Sequence, residues 1–275
     1  MDLASEEFAA RLAEEEKSAA TIEKYLRDVT AFFLWLGKKP LAKETVLLWK
    51  AELLRRGYAA VTVNAKLAAL NRYLLFTGRT DCRVRPLRIQ RRVFRRSERE
   101  LSQREYRELI DAARSQGMER TALIMETICA TGIRVSELRY ITVEAAKRGE
   151  SSVALKGKIR MILLPRKLCA KLLKYAKQKN ITAGEIFLSP SGESLGRKRI
   201  WSDMKAVCRL TGIAPSKVFP HNLRHLFAVT YYNMCHDVAK LADVLGHSSI
   251  ETTRIYLIST GREHALYLEQ MKLVV

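Results

Sequence analysis

Apolar residues recur at steps of three and four through the first part of the chain, the spacing that lines side chains along one face of an α-helix. Ile22, Tyr25, Leu26, Val29, Phe32, Phe33 and Leu36 form one such stripe. Ser18 can cap its start, and Gly37 and Pro40 stop it. A helix over roughly residues 45–56 ends at Gly57. Another, over about 62–76, puts Leu67, Leu70, Leu74 and Leu75 on one side and stops at Gly78. With an amphipathic segment before Lys17, the pattern predicts a bundle of about four helices and no strand.

The periodicity is lost after residue 82. Between Arg83 and Arg99 stand eight arginines and a single acid, Glu98, with Pro86 as a breaker. A charge run of this kind is either a solvated tether or a strap across a phosphate backbone; the basic character of the whole chain favours the strap. Helical periodicity resumes at Leu101. Ser102 followed by Glu105 matches a capping box, with Tyr106, Leu109, Ile110 and Ala113 on the same face. A helix over about 120–130 ends at Thr131-Gly132. Residues 153–155 and 161–164 read as two short strands about a Gly157 turn, and 186–188 as a further strand before Ser-Pro-Ser-Gly. Everything after Gly196 reads as helices. The predicted fold class is mainly α with a small β-sheet: a helical domain over 1–82, an arginine-rich linker over 83–100 and an α+β domain over 101–275.

Composition narrows the partner. Lys and Arg number 49 against 29 Asp and Glu, a net charge of +20, which points to a polyanion, with nucleic acid well ahead of a membrane surface. No apolar run is long enough to span a bilayer, and the acidic start lacks the features of a signal peptide. The five cysteines are scattered with no C-x-x-C pair, as expected of reduced thiols in a cytoplasmic chain rather than a zinc site or a disulfide framework.

Three segments carry candidate chemistry: ATGIRVSEL (130–138), HNLRH (221–225) and LGHSSIETTRIY (245–256). Arg134 follows a helix stop, where its fork of donors could take a phosphate in bidentate fashion or simply pair with Glu137. His221 follows Pro220, a helix-opening residue, so His221 and Arg224 share a face at a helix N-terminus, a favourable place for an anion; a half-buried histidine beside a surface arginine is the plainer alternative. His225 lies about a hundred degrees round that helix, facing inside. His247 sits between Gly246, a helix stop, and Ser248-Ser249, caps of the next helix, and Tyr256 follows nine residues later. Each signal alone fits ordinary packing.

Together, in this order and with these flanks, they resemble the tyrosine recombinase family, which includes phage integrases, integrases of conjugative elements and the Xer resolution enzymes. The resemblance extends over about residues 1–270. It implies Arg134, His221, Arg224, His247 and Tyr256 as active-site residues, and a helical N-terminal domain that clamps DNA. The family also places a lysine on a strand turn, usually as K-G-x-K-x-R. Here the text is ALKGKIRMILLP, shorter between the lysines and longer before the proline; Lys156 precedes the turn glycine, and Lys158 is the alternative.

The implied reaction attacks a DNA phosphodiester with Tyr256 to leave a 3′-phosphotyrosine and a free 5′-hydroxyl. Arg134 and Arg224 neutralise the non-bridging oxygens, His221 takes the phenol proton, Lys156 protonates the leaving oxygen, and His247 donates to the phosphate. No metal, cofactor, ATP or small-molecule substrate is expected. The expected partners are double-stranded DNA with short inverted sites and other copies of the chain, four to a synapse; no membrane partner is expected. The starting position of the bundle suits a two-domain enzyme, either Xer-like or from a mobile element. A type IB topoisomerase shares these residue types, but the small helical domain and the tail after Tyr256 argue against it. A non-catalytic DNA-binding module would be expected to lack a member of the set.

Overall fold

The computed structural model describes residues 3–89, 99–155, 158–247, 249–256 and 269–271. The chain divides into two compact units, Met1–Arg91 and Arg92–Val275.

The first unit contains the predicted bundle: α1 (Leu3–Glu14), α2 (Ala19–Leu36), α3 (Lys43–Arg55) and α4 (Ala60–Phe76). Phe32, Trp49, Leu53, Leu67, Leu70 and Leu74 form its buried centre, each burial stabilising the fold by roughly 1.5–3 kcal/mol. Phe8 and Leu12 of α1 cluster with Val29, beside Tyr73 and Phe76. Asp28 is buried in this apolar setting. Burial alone would raise its carboxyl, but Lys24 at 2.6 Å and Lys66 at 3.0 Å outweigh that and hold it below the usual carboxylate value.

Residues 83–89, where the sequence predicts the linker to begin, run along this bundle. Val84 is buried and Leu87 packs against the same core, whereas Arg83, Arg85 and Arg88 are exposed. Two asparagines of α4 grip the segment as a neighbouring strand would. Asn71 donates to the Val84 carbonyl (2.8 Å) and accepts from the Val84 N–H (3.1 Å). Asn64 does the same at Leu87, at 2.9 and 2.7 Å. Residues 90–98 of the predicted linker lie outside the described residues.

The second unit is built on α5 (Gln103–Ser115) and α6 (Glu119–Thr131). The Ser102/Glu105 capping box forms as predicted. Leu123, Met125 and Ile128 of α6 are fully buried at the centre of the unit. After a 3-10 turn and α7 (Val143–Arg148) come β1 (Glu150–Leu155) and β2 (Lys158–Leu163), an antiparallel pair with Val153 opposite Arg160 and Leu155 opposite Lys158. Among the described residues α8 (Arg166–Gln178), α9 (Arg197–Cys208), α10 (Pro220–Cys235), α11 (Val238–Leu245) and α12 (Ile250–Arg254) follow.

The strand predicted at 186–188 is not one. Only isolated bridges form there, Thr142 with Glu185 and Leu188 with Ser194. Ile186 and Phe187 are apolar because they are buried against the core, so the short apolar run records burial rather than a ladder. Among the described residues no helix is long and apolar enough to cross a membrane, and all five cysteines are free.

Candidate active site

Helix α6 stops at Gly132, which has a φ of +65°. A Cβ there would strike the ring of Phe227 on α10, so the site needs both the left-handed backbone and the missing side chain. The chain then presents Arg134 at the start of the 3-10 turn Val135–Tyr140. The Glu137 carboxylate accepts from the Arg134 backbone N–H at 2.8 Å and from its Nη1 at 2.9 Å. The ion pair that the sequence allowed is therefore present. The Arg134 side chain still keeps 43% of its surface exposed, leaving the rest of the fork open to a ligand.

Glu137 is 1% exposed and holds a second guanidinium. Arg160 of β2 donates from Nη1 to Glu137 Oε2 at 2.8 Å, and from Nε and Nη2 to the Val244 carbonyl at 3.1 and 2.6 Å. Burial pulls the Arg160 guanidinium down to about 10, partly offset by Glu137. Sequence reading missed Arg160. The available signals were the arginine that closes the K-G-x-K-x-R pattern and its place between two residues, Ile159 and Met161, that strand alternation turns to solvent.

Helix α10 opens with Pro220 at its first position and carries His221 and Arg224. Arg224 is 3% exposed. Its Nη1 donates to the Gly132 carbonyl at 2.5 Å, and its Nη2 to the Leu245 carbonyl at 2.9 Å and His247 Nε2 at 2.8 Å. Burial lowers the Arg224 guanidinium below its usual value, and its hydrogen bond with Tyr256 works the other way. The plain surface arginine is thus not what stands here.

Gly246 ends α11 with a φ of +63°, and its Cα packs so closely on the Arg160 side chain that a Cβ would clash. The turn delivers His247. Burial first, then the charges of Arg224, Arg134 and Arg160, push this imidazole down to about 4. An arginine only donates, so Nε2 of neutral His247 is the acceptor and Nδ1–H donates to Thr253 Oγ1 at 2.8 Å. Thr253 has no exposed surface.

Tyr256 follows α12 and is 3% exposed, in an apolar cluster with Ala228, Leu241 and Leu245. Three imidazoles surround its ring, with centroids at 5.8 Å (His221), 5.4 Å (His225) and 5.9 Å (His247). The structure therefore gathers Arg134, His221, Arg224, His247 and Tyr256 in one place and adds His225, Glu137, Arg160 and Thr253 to them. Lys156 lies outside the described residues, as does the side chain of Lys158. Among the described residues no group of His, Cys, Asp and Glu could hold a metal ion. Three guanidiniums around one buried carboxylate leave an excess of positive charge, which suits a phosphodiester.

Comparison with known proteins agrees with this chemistry. Residues 99–262 match the phage integrase family, and residues 6–79 match the phage integrase N-terminal SAM-like domain. A tyrosine recombinase XerA of Pyrococcus furiosus is 30% identical, covering 98% of this chain and 94% of its own length. A tyrosine recombinase XerC of Roseiflexus castenholzii is 32% identical, covering 91% and 87%. Among solved structures, a lambda integrase dimer bound to a core site superposes with a TM-score of 0.73 at 19% identity, over 91% of this chain and 93% of that one.

Proposed function

The chain belongs to the phage integrase family, and we propose that it is a site-specific DNA recombinase that cuts and rejoins strands through a 3′-phosphotyrosine on Tyr256. The observation that carries this reading is the convergence on one buried phenol of three imidazoles and a guanidinium. A phenol has a pKa of about 10 and needs help to attack near neutral pH.

In the proposed step the Tyr256 oxygen bonds to phosphorus, its proton passes to His221, and the bond from phosphorus to the 5′-oxygen breaks. Lys156, or Lys158 in its place, supplies the proton that makes the leaving group a 5′-hydroxyl. Arg134 and Arg224 take the two non-bridging oxygens as negative charge builds. His247 donates to one of them in the other tautomer, with its proton on Nε2 and Nδ1 accepting from the Thr253 hydroxyl, once Arg224 has turned from Nε2 to the phosphate. The phosphoester bond energy stays in the adduct, so a 5′-hydroxyl reverses the reaction without ATP, metal or cofactor.

The same reading assigns residues 1–82 to gripping the duplex, 83–100 to a basic strap along its backbone, and 101–275 to catalysis. The substrate is double-stranded DNA with short inverted sites, brought together in the cytoplasm by four protomers. The net charge of +20 supports a polyanionic partner.

The test is to capture DNA covalently attached to the protein in expressing cells, sequence it, and rebuild it as a nicked suicide duplex. Wild-type protein should trap a covalent adduct at Tyr256, and Tyr256→Phe should bind the duplex but trap none. An adduct of normal yield from Tyr256→Phe overturns the choice of nucleophile. Plasmid relaxation without strand exchange would favour a topoisomerase.

A further inference from the structure

Arg160 is absent from the set that the sequence points to, yet it joins two parts of the site. It comes from β2, reaches the carboxylate that holds Arg134, and caps the carbonyl that precedes the His247 turn. We propose that Arg160 is a positioning residue for phosphoryl transfer, a strut that fixes Arg134 through Glu137 and the His247 turn through the Val244 carbonyl. The inference rests on the tyrosine-recombinase reading above.

Three observations support a positioning role. First, only 10% of the Arg160 side chain is exposed against 43% of Arg134, and its hydrogen bonds go to Glu137 and Val244, whereas the likewise buried Arg224 reaches His247. Secondly, all three nitrogens of Arg160 are engaged: Nη1 on Glu137, and Nε with Nη2 together on Val244. A lysine has one charged nitrogen and cannot hold both groups in that geometry. Thirdly, the close approach of Gly246 to the Arg160 stem means that the His247 turn is built against this side chain. Glu137 in turn uses both oxygens on guanidiniums and Oε2 also on the Arg134 backbone N–H, so the two arginines cannot shift independently.

The consequence is mechanical. Arg134 and His247 come from segments more than a hundred residues apart in sequence, and each must meet the same phosphate. Sub-ångström misplacement at such a site slows the chemistry while leaving ligand affinity nearly intact.

The experiment measures single-turnover adduct formation on the suicide duplex described above, with thermal melting and DNA affinity in parallel. Arg160→Met should fold, bind DNA within about threefold of wild type, and form adduct about a hundredfold more slowly; Arg160→Lys should lose about tenfold. The discriminating substrate replaces one non-bridging oxygen of the scissile phosphate by methyl, which removes the charge that Arg134 must meet. On the diastereomer that relieves Arg134→Ala, the Arg160→Met defect should shrink by about tenfold or more. A defect equal on both substrates would assign Arg160 a purely structural role, and wild-type rates from folded Arg160→Met would remove it from the site; either outcome overturns the proposal. If wild-type protein forms no adduct at Tyr256, the recombinase reading itself fails. If the adduct forms and Arg160 behaves in either contrary way, only the strut fails.

Discussion

The imidazole of His247 lies parallel to the phenol ring of Tyr256, with 8° between the planes and 5.9 Å between the centroids. The two residues are joined by only one short helix and its caps, so the turn at Gly246 sets where both rings stand. The Tyr256 ring also belongs to an apolar cluster, which separates its packing from its chemistry. Tyr256→Phe should therefore melt within about 1 kcal/mol of wild type, the order of one lost hydrogen bond, while trapping no DNA. Tyr256→Ala should lose roughly 3–4 kcal/mol because it empties the cluster. Denaturant melts of the two variants check the difference.

His247 provides a pH signature. Its folded value of about 4 lies below the ordinary histidine value of 6.5. Between those values the unfolded chain binds a proton that the folded chain refuses, so stability rises with pH through this window and falls on acidification from 7 toward 4. Partial solvent access limits the effect to the order of 1–2 kcal/mol. His247→Gln should flatten that part of the stability profile. Urea melts at pH 7 and pH 4.5 for both proteins check it; equal pH slopes would remove His247 as the titrating group.

Thr253 accepts from His247 Nδ1 while fully buried. Thr253→Val keeps the shape and removes the hydroxyl, so adduct formation should slow about tenfold with DNA affinity unchanged. Thr253→Ser should stay within about threefold of wild type. Failure of serine to restore the rate would show that packing, not the hydrogen bond, is what Thr253 contributes.

Gly246→Ala meets two obstacles: a φ of +63° and the Arg160 side chain. The strained backbone costs about 1 kcal/mol, and displacing a buried arginine adds roughly 1–2 more. The measurable outcome is a lower melting temperature together with loss of adduct. Gly117→Ala has a similar φ of +66° and open space around it, so it should show the backbone cost alone and full activity.

Asn64 and Asn71 each grip the backbone of residues 83–89 with two hydrogen bonds. Replacing either by alanine should cost roughly 1–2 kcal/mol. It should also free the backbone beside Arg83 and Arg88 for trypsin, with faster cleavage in the double variant than in either single one. Unchanged cleavage would mean that Val84 and Leu87 hold the segment without the asparagines.

The sequence by itself determined the helical bundle, the capping box at Ser102, the two strands β1 and β2, and the identity of five residues that meet at the site. These were legible because they depend on neighbours three or four positions away, or on a short ordered motif. The strand expected at 186–188 failed because a buried apolar run looks the same in a strand and in an irregular core segment. Arg160 went unread because its partners, Glu137 and Val244, lie 23 and 84 residues away. Only the tertiary structure decided that Arg224 is a buried post rather than a surface charge, that His247 is neutral with its proton on Nδ1, and that residues 83–89 pack on the bundle. Burial, charge balance and hydrogen-bond direction at those positions are properties of the assembled neighbours, and local spacing along a chain does not contain them.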